Sequence, residues 1–202
     1  MSEVINLFPI PLYVSDEYKL SDVEKDYIMT YENNITENAG GNGTSYNHYV
    51  LEESKLNLLK EFIIQQVNIY WHQIYNFNKS SSLRLTQSWI NFNSTKQFHH
   101  KHQHSNSVIS GVFYIQGETP ITFDRPSGKP LNPFVFKINK YNQYNNEEIY
   151  VNAFPNKLFL FPSQLLHSVG SNENKEKRIS LACNFFPVGD LGYDERLTFL
   201  KL

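Results

Sequence analysis

Apolar and polar side chains alternate over much of Leu83-Arg84-Leu85-Thr86-Gln87-Ser88-Trp89-Ile90-Asn91-Phe92-Asn93, which is the pattern of a half-buried β-strand. Further runs that read as short strands follow it, many of them separated by prolines and glycines, at residues 108–116, 121–124, 134–138, 147–153, 157–161 and 178–188. No helical pattern lies between them, so the helical crossovers that a parallel α/β sheet needs are missing. This part of the chain therefore predicts an antiparallel sandwich or jelly roll.

Helical signals precede these strands. Ser21-Asp22-Val23-Glu24 has the form of a capping box and predicts a short helix, whereas the glycine-containing residues 33–47 predict a loop. Between Glu52 and about Asn76, apolar and aromatic residues recur at helical spacing, at Leu56, Leu59, Phe62, Ile63, Val67, Tyr70, Trp71 and Ile74. The fold class is therefore predicted to be mainly β with N-terminal helices, and we expect the long helix to pack on the sheet.

The chain has 202 residues, of which 40% are hydrophobic, so it can bury one sizeable core. We expect a single domain over residues 1–202. Within it we expect a helical part at 1–80 that packs on the sheet, a jelly-roll core at 81–190 and a C-terminal tail at 191–202.

Charge and cysteine content exclude several classes of protein. The chain has 18 Lys and Arg residues and 20 Asp and Glu residues, so it lacks the excess of positive charge that is typical of nucleic-acid-binding proteins. The single cysteine, Cys183, excludes an internal disulfide and a CxxC zinc pair, so a metal would be held by nitrogen and oxygen. The chain also lacks a signal-peptide pattern and any apolar run of membrane-spanning length. We therefore expect a cytoplasmic protein with neither nucleic acid nor membrane as a partner.

Histidines are concentrated in one short stretch. Four of the seven lie between Phe98 and His104, and His167 follows far along the chain. Residues i and i+2 of a strand share a face, so His102 and His104 can point the same way, with His100 beside them. With His167 they would form a set of three nitrogen ligands that leaves coordination positions open. Imidazole suits iron, copper, zinc and nickel, so these ligands alone do not identify the metal.

A simpler interpretation is that residues 99–104 form a solvated polar loop, but the apolar strands on both sides speak against it. We assign no metal role to His48 or His72, because one lies in a polar turn and the other in the long helix. His99 and His100 are weaker ligand candidates and could instead contact a ligand.

The segment His102-Gln103-His104-Ser105-Asn106-Ser107-Val108-Ile109-Ser110-Gly111-Val112-Phe113-Tyr114-Ile115 resembles a small family of 2-oxoglutarate/Fe(II)-dependent oxygenases from bacteria and phages. Further segments agree in order, namely residues 8–11, 89–93, 123–126, 160–167 and 178–185. The resemblance covers most of the chain and is densest from Trp89 to Phe185. It implies a double-stranded β-helix, a jelly roll whose mouth holds Fe(II).

In the wider superfamily the resemblance implies a His-Xaa-Asp/Glu pair and a distant histidine as iron ligands. Here His104 occupies the position of the carboxylate, so the implied site has three histidines, His102, His104 and His167. Its net charge is one unit more positive than that of a site with two histidines and one carboxylate. Asp124 is an alternative source of a carboxylate, although its place before Arg125-Pro126 is typical of a turn acid.

The resemblance also implies residues for the cosubstrate. Arg178 lies on the strand after His167, where an arginine pairs with the far carboxylate of 2-oxoglutarate, and Ser180 shares its face. The alternative for Arg178 is a surface ion pair with Glu173 or Glu176. Tyr114 and Asn91 are further candidates for this pocket, although a core tyrosine would give the same pattern.

The implied reaction uses Fe(II), 2-oxoglutarate and O2 to hydroxylate an unidentified small molecule or peptide, with release of succinate and CO2. Two alternatives stay open: a cupin-like metal-dependent dioxygenase or isomerase that does not use 2-oxoglutarate, and a non-catalytic metal-binding jelly roll. A homodimer is compatible with the sheet edges that a jelly roll exposes, but no sequence feature decides it.

Overall fold

The computed structural model describes residues 2–131 and 133–202. The strands are β1 (Tyr13–Val14), β2 (Ile35–Glu37), β3 (Gly43–Ser45), β4 (Ser81–Asn93), β5 (His99–His102), β6 (Ile109–Gln116), β7 (Ile121–Asp124), β8 (Glu148–Val151), β9 (Leu158–Pro162), β10 (His167–Val169), β11 (Arg178–Leu191) and β12 (Leu200–Lys201). The α-helices are α1 (Asp22–Thr30) and α2 (Asn57–Ile69), and α2 continues into a π-helical turn at Tyr70–Ile74. Short 3₁₀ turns lie at Tyr31–Asn33, Val50–Glu52, Ser54–Leu56 and Asp194–Arg196.

The strands form two antiparallel sheets. The larger has the order β1-β9-β6-β11-β4-β3-β2, with β12 beside β11, and the smaller has the order β5-β10-β7-β8. Tyr114 and Phe159 of the larger sheet share one apolar cluster with Ile121 and Phe123 of the smaller sheet. The two sheets therefore pack face to face, and the predicted fold class, mainly β with N-terminal helices, is confirmed.

The helices cover the other face of the larger sheet. Leu59, Ile63 and Val67 of α2 are buried in one core cluster with Ile90 of β4 and Leu181 of β11. Burial of each such side chain contributes about 1.5–3 kcal/mol. The helical stripe in the sequence therefore becomes the layer that supports the back of the sheet.

Helix α1 begins as its capping box predicts. The Ser21 hydroxyl accepts a hydrogen bond from the Glu24 backbone N–H at 3.3 Å, and the Glu24 carboxylate accepts one from the Ser21 N–H at 2.8 Å. Each bond pairs a backbone donor that the first helical turn leaves free.

Alternation along β11 separates the two faces of the larger sheet. Ile179, Leu181, Cys183 and Phe185 point into the core beneath the helices. The residues between them, Arg178, Ser180, Ala182 and Asn184, point the other way, and the first three line a cavity between the sheets. Polar side chains are thus placed on the inner face by strand geometry.

Three expectations about single elements are wrong. Residues 33–47 contain the hairpin β2–β3 rather than only a loop, because β3 pairs with β4 and extends the larger sheet. Residues 1–80 accordingly hold three strands as well as helices. Residues 134–138 form no strand, because they pair with no neighbouring strand: β7 pairs with β8 instead. Phe134 and Val135 are therefore exposed.

Within the described ranges, no helix combines the length and apolarity that a bilayer crossing requires.

Candidate active site

Three histidines that are distant in sequence meet at one point. His102 ends β5 and His167 begins β10, and the two are paired directly across these antiparallel strands. His104 lies just beyond β5, where its backbone N–H donates to the Ser163 carbonyl at 3.0 Å. One ring nitrogen from each histidine lies within 4.8 Å of the others. The structure thus brings together the three histidines that the sequence analysis selects as metal ligands.

Hydrogen bonds give all three rings the same tautomer. The Nδ1 atoms of His102 and His167 lie 2.7 Å from the His100 carbonyl and 2.8 Å from the Leu165 carbonyl. The Nδ1 of His104 lies 2.7 Å from the Asn184 side-chain oxygen. Carbonyl oxygens only accept, so each Nδ1 carries the hydrogen and each Nε2 keeps a lone pair. This is the arrangement of imidazoles that bind a metal through Nε2.

A buried polar network fixes His104. The Ser110 hydroxyl donates to the Asn184 side-chain oxygen at 2.8 Å and lies 2.8 Å from His104 Nδ1. Ser163 lies 2.9 Å from Ser110 and 2.7 Å from Ser107, oxygen to oxygen. The sequence analysis missed Asn184 and Ser110. Asn184 lies an even number of residues after Arg178 and Ser180 on β11 and therefore shares their face of the sheet. This spacing is the feature of the sequence that could have identified Asn184.

Burial keeps the three rings neutral. Desolvation, with a smaller contribution from the nearby His102 ring, lowers the pKa of His167 to about 3. Desolvation also lowers the pKa of His102 and of His104, although hydrogen bonds oppose this effect at both rings. Neutral imidazole is the form that ligates metals.

Arg178 is a buried cation. It is 2% exposed, and its Nη1 donates to the Ser180 hydroxyl at 3.2 Å. No carboxylate of the described residues pairs with it, and Glu173 pairs with Lys96 instead. Arg178 Nε and the Tyr114 hydroxyl are both buried without a partner in the described part of the chain. The guanidinium carbon lies 5.3 Å from the centre of the Tyr114 ring.

The electrostatics of this pair follow from burial. Desolvation lowers the pKa of Arg178 and raises the pKa of Tyr114 to about 12, although the Arg178 charge opposes the second shift. A buried positive charge with unpaired donors beside it is complementary to an anionic group such as a carboxylate.

Strand register arranges the polar residues in rows across the inner face. Thr44, Asn91, Ser180 and Tyr114 occupy matching positions on β3, β4, β11 and β6. The Thr44 hydroxyl donates to the Asn91 side-chain oxygen at 3.1 Å. Asn91, predicted as a cosubstrate residue, therefore lies in the same row as Ser180 and turns its amide nitrogen away from Thr44.

The adjacent row contains residues that the sequence analysis missed. Asn93 is paired with Arg178, and His99 Nε2 donates to its side-chain oxygen at 2.8 Å. Asn93 Nδ2 and both amide atoms of Asn42 are buried without a partner in the described ranges. Burial, with a smaller contribution from Arg178, lowers the pKa of His99 to about 3. Only the pairing of β4 with β11 brings Asn93 to Arg178, and Asn42 and His99 line the same cavity.

The histidines and Arg178 open onto one cavity of about 340 Å³. Its wall also includes Trp89 and His48, to which the sequence analysis gave no function. His72 lies elsewhere, with Nδ1 3.1 Å from the Phe77 carbonyl. The alternative ligand Asp124 is not part of the histidine cluster, and its carboxylate is 2.7 Å from Lys101 Nζ.

Residues 87–184, which include these three histidines, match the model of a protein family described as "Putative 2OG-Fe(II) oxygenase". This stretch, just under half of the chain, is similar to the 2OG-Fe(II) oxygenases. The predicted family and enzyme class are confirmed, and Fe(II) and 2-oxoglutarate are the cofactor and cosubstrate of this family. A comparison with curated proteins finds no match.

Solved structures resemble the oxygenase domain and its helical additions. The α-ketoglutarate-dependent epimerase SnoN from nogalamycin biosynthesis is 11% identical, with a TM-score of 0.60 over 89% of this chain and 81% of SnoN. HygX from Streptomyces hygroscopicus, with nickel, 2-oxoglutarate and hygromycin B bound, is 10% identical, with a TM-score of 0.58 over 87% and 82%. A Pseudomonas putida prolyl-4-hydroxylase is 11% identical, with a TM-score of 0.55 over 87% and 92%. At these identities the likeness shows a shared fold.

Proposed function

We propose that this protein hydroxylates a small-molecule or peptide substrate, using Fe(II), 2-oxoglutarate and O2 and releasing succinate and CO2. One observation carries the proposal: the buried guanidinium of Arg178, with no carboxylate partner among the described residues, opens onto the same cavity as three imidazoles whose ligand nitrogens lie within 4.8 Å of one another. A metal centre without 2-oxoglutarate has no need of that buried charge.

The donor set fits Fe(II). His102, His104 and His167 would hold the ion through their Nε2 atoms and leave coordination positions open for exchangeable ligands. Iron supplies the oxidation chemistry when it is bound, whereas the protein supplies position and environment. Asn184 and Ser110 keep the His104 ring in its ligating tautomer.

The cosubstrate would extend from the histidines to Arg178. Its far carboxylate would accept hydrogen bonds from the Arg178 fork, the Ser180 hydroxyl and the unpaired Tyr114 hydroxyl. Asn91 would direct its amide hydrogens into the same cavity, since Thr44 occupies its oxygen. The apolar residues around this recess, among them Val112 and Phe159, would exclude water from the bound end.

We also propose that the whole chain acts as one unit in the cytoplasm. The α2 helix packs directly on strands that carry the site, and Cys183, the single thiol, is buried on the helical side. Such a protein requires no oxidising compartment.

The proposal is tested with iron content and succinate formation. Purified His167→Ala protein should retain no iron after anaerobic loading and should form no succinate, because two imidazoles remain. His72→Ala is the matched control and should retain both, because His72 lies outside the cavity. Wild-type protein should also develop a visible charge-transfer band when 2-oxoglutarate is added to the Fe(II) form. Iron retained by His167→Ala protein would overturn the ligand assignment.

A further inference from the structure

The cavity that holds the candidate site contains no acidic side chain in its lining, as far as the described residues extend. Its ionisable residues are Arg178 and six histidines, His48, His99, His100, His102, His104 and His167. The remaining polar lining is neutral and consists of the carboxamides and hydroxyls of Asn38, Asn42, Thr44, Gln87, Asn91 and Ser180. The cavity wall therefore supplies no negative charge of its own.

The groups just behind the lining are neutral as well. The three ring Nδ1 atoms face two backbone carbonyls and the Asn184 amide oxygen, where many metal sites place a carboxylate. Asp124, on β7, is paired with Lys101, which also lies 3.0 Å from Glu148. Phe123 lies opposite His167 in the register, so alternation turns Asp124 to the other face of the sheet.

A charge count follows for the cavity loaded as under the proposed function, on which this inference rests. The metal contributes two positive charges and Arg178 one, and the two carboxylates of 2-oxoglutarate contribute two negative charges. Three neutral imidazoles add nothing, so one positive charge is left over. A carboxylate at the position of His104 would cancel it. Because the surroundings are buried, this charge is poorly screened.

We propose that the substrate is a small organic anion whose negative group is attracted by this surplus charge. Trp89 lines the same cavity, with its ring centre 5.6 Å from that of His104, and provides a surface for an apolar part of the substrate. A cationic substrate would meet repulsion and no carboxylate to pair with.

Benzoate and benzamide are a suitable pair of probes, since they differ in charge and hardly in shape. Their dissociation constants are measured by calorimetry on protein saturated with Ni(II) and 2-oxoglutarate, so that Arg178 is already occupied. Benzoate should bind at least about tenfold more tightly than benzamide. Gln87→Glu, which adds one negative charge to the lining, should weaken benzoate binding about fivefold or more and leave benzamide binding unchanged.

Gln65→Glu is the matched control, because it adds the same charge on α2, which packs against the other face of the larger sheet. It should leave the affinity for both probes unchanged. Equal affinities for benzoate and benzamide, or equal effects of the two glutamate variants, would overturn the inference. The titration with 2-oxoglutarate that precedes these measurements separates the two hypotheses: failure to bind 2-oxoglutarate refutes the proposed function, whereas normal binding without charge preference refutes only the substrate class.

Discussion

Replacement of Arg178 by methionine should stabilise the ligand-free protein and abolish its response to 2-oxoglutarate. Arg178 is 2% exposed, makes one side-chain hydrogen bond, to Ser180, and has no carboxylate partner among the described residues. An uncompensated buried charge costs several kcal/mol, and apolar replacement of buried ionic groups is often stabilising by about 1–4 kcal/mol. We therefore expect Arg178→Met to raise the free energy of unfolding by about 1–3 kcal/mol.

The response to 2-oxoglutarate should change in the opposite sense. A ligand at 100 times its dissociation constant stabilises the folded state by about 2.7 kcal/mol. Loss of two charge-assisted hydrogen bonds, each contributing about 1.5–3 kcal/mol, should weaken binding by at least about 100-fold. The wild-type protein should thus gain stability from 2-oxoglutarate, and the variant should gain almost none.

Urea denaturation with and without 2-oxoglutarate measures both effects. Urea is preferable to guanidinium, which carries the same group as the arginine side chain. Arg84→Met removes an exposed arginine from β4 and should change neither quantity. An Arg178→Met protein that is less stable than wild type, or that 2-oxoglutarate still stabilises fully, would refute the reasoning.

Three further predictions concern the residues around the site. Asn184→Leu removes the hydrogen-bond acceptor that orients the His104 ring. This variant should bind Ni(II) about 10- to 100-fold more weakly in a competition titration. Unchanged affinity would show that Asn184 does not position the ring. Tyr114→Phe removes a buried hydroxyl without a partner in the described ranges. The affinity for 2-oxoglutarate should fall about 5- to 15-fold, while the free energy of unfolding should not change. Unchanged affinity with reduced stability would instead show that Tyr114 is a core residue. His99 has a folded-state pKa of about 3, which is below the pKa of histidine in the unfolded chain. Its contribution to the free energy of unfolding is therefore complete above about pH 6.5 and is lost as the pH falls toward 3. The loss amounts to at most about 1.4 kcal/mol per pH unit. His99→Gln should therefore flatten the acid limb of a stability profile, and an unchanged slope would contradict a neutral His99.

Local patterns account for the elements that the sequence analysis predicted well. The capping box at Ser21 marks the start of α1, and the apolar stripe of α2 identifies the face that is buried. Period-two alternation identifies β4 and β11, because side chains of a strand must point to opposite faces whatever the strand pairs with. The same pattern misleads at residues 134–138, because a strand also needs a partner with which to exchange hydrogen bonds.

The sequence by itself determined the types of element, the chemistry of its clustered histidines and the resemblance of its motifs to an oxygenase family. Tertiary structure alone decided that His102 and His167 face each other, that Arg178 is buried with no carboxylate partner among the described residues, and that Asn42, Asn93 and Asn184 lie beside these groups. The physical reason is that periodicity within a segment fixes only the direction of a side chain. Its neighbours depend on which distant strand supplies the backbone hydrogen bonds and in which register.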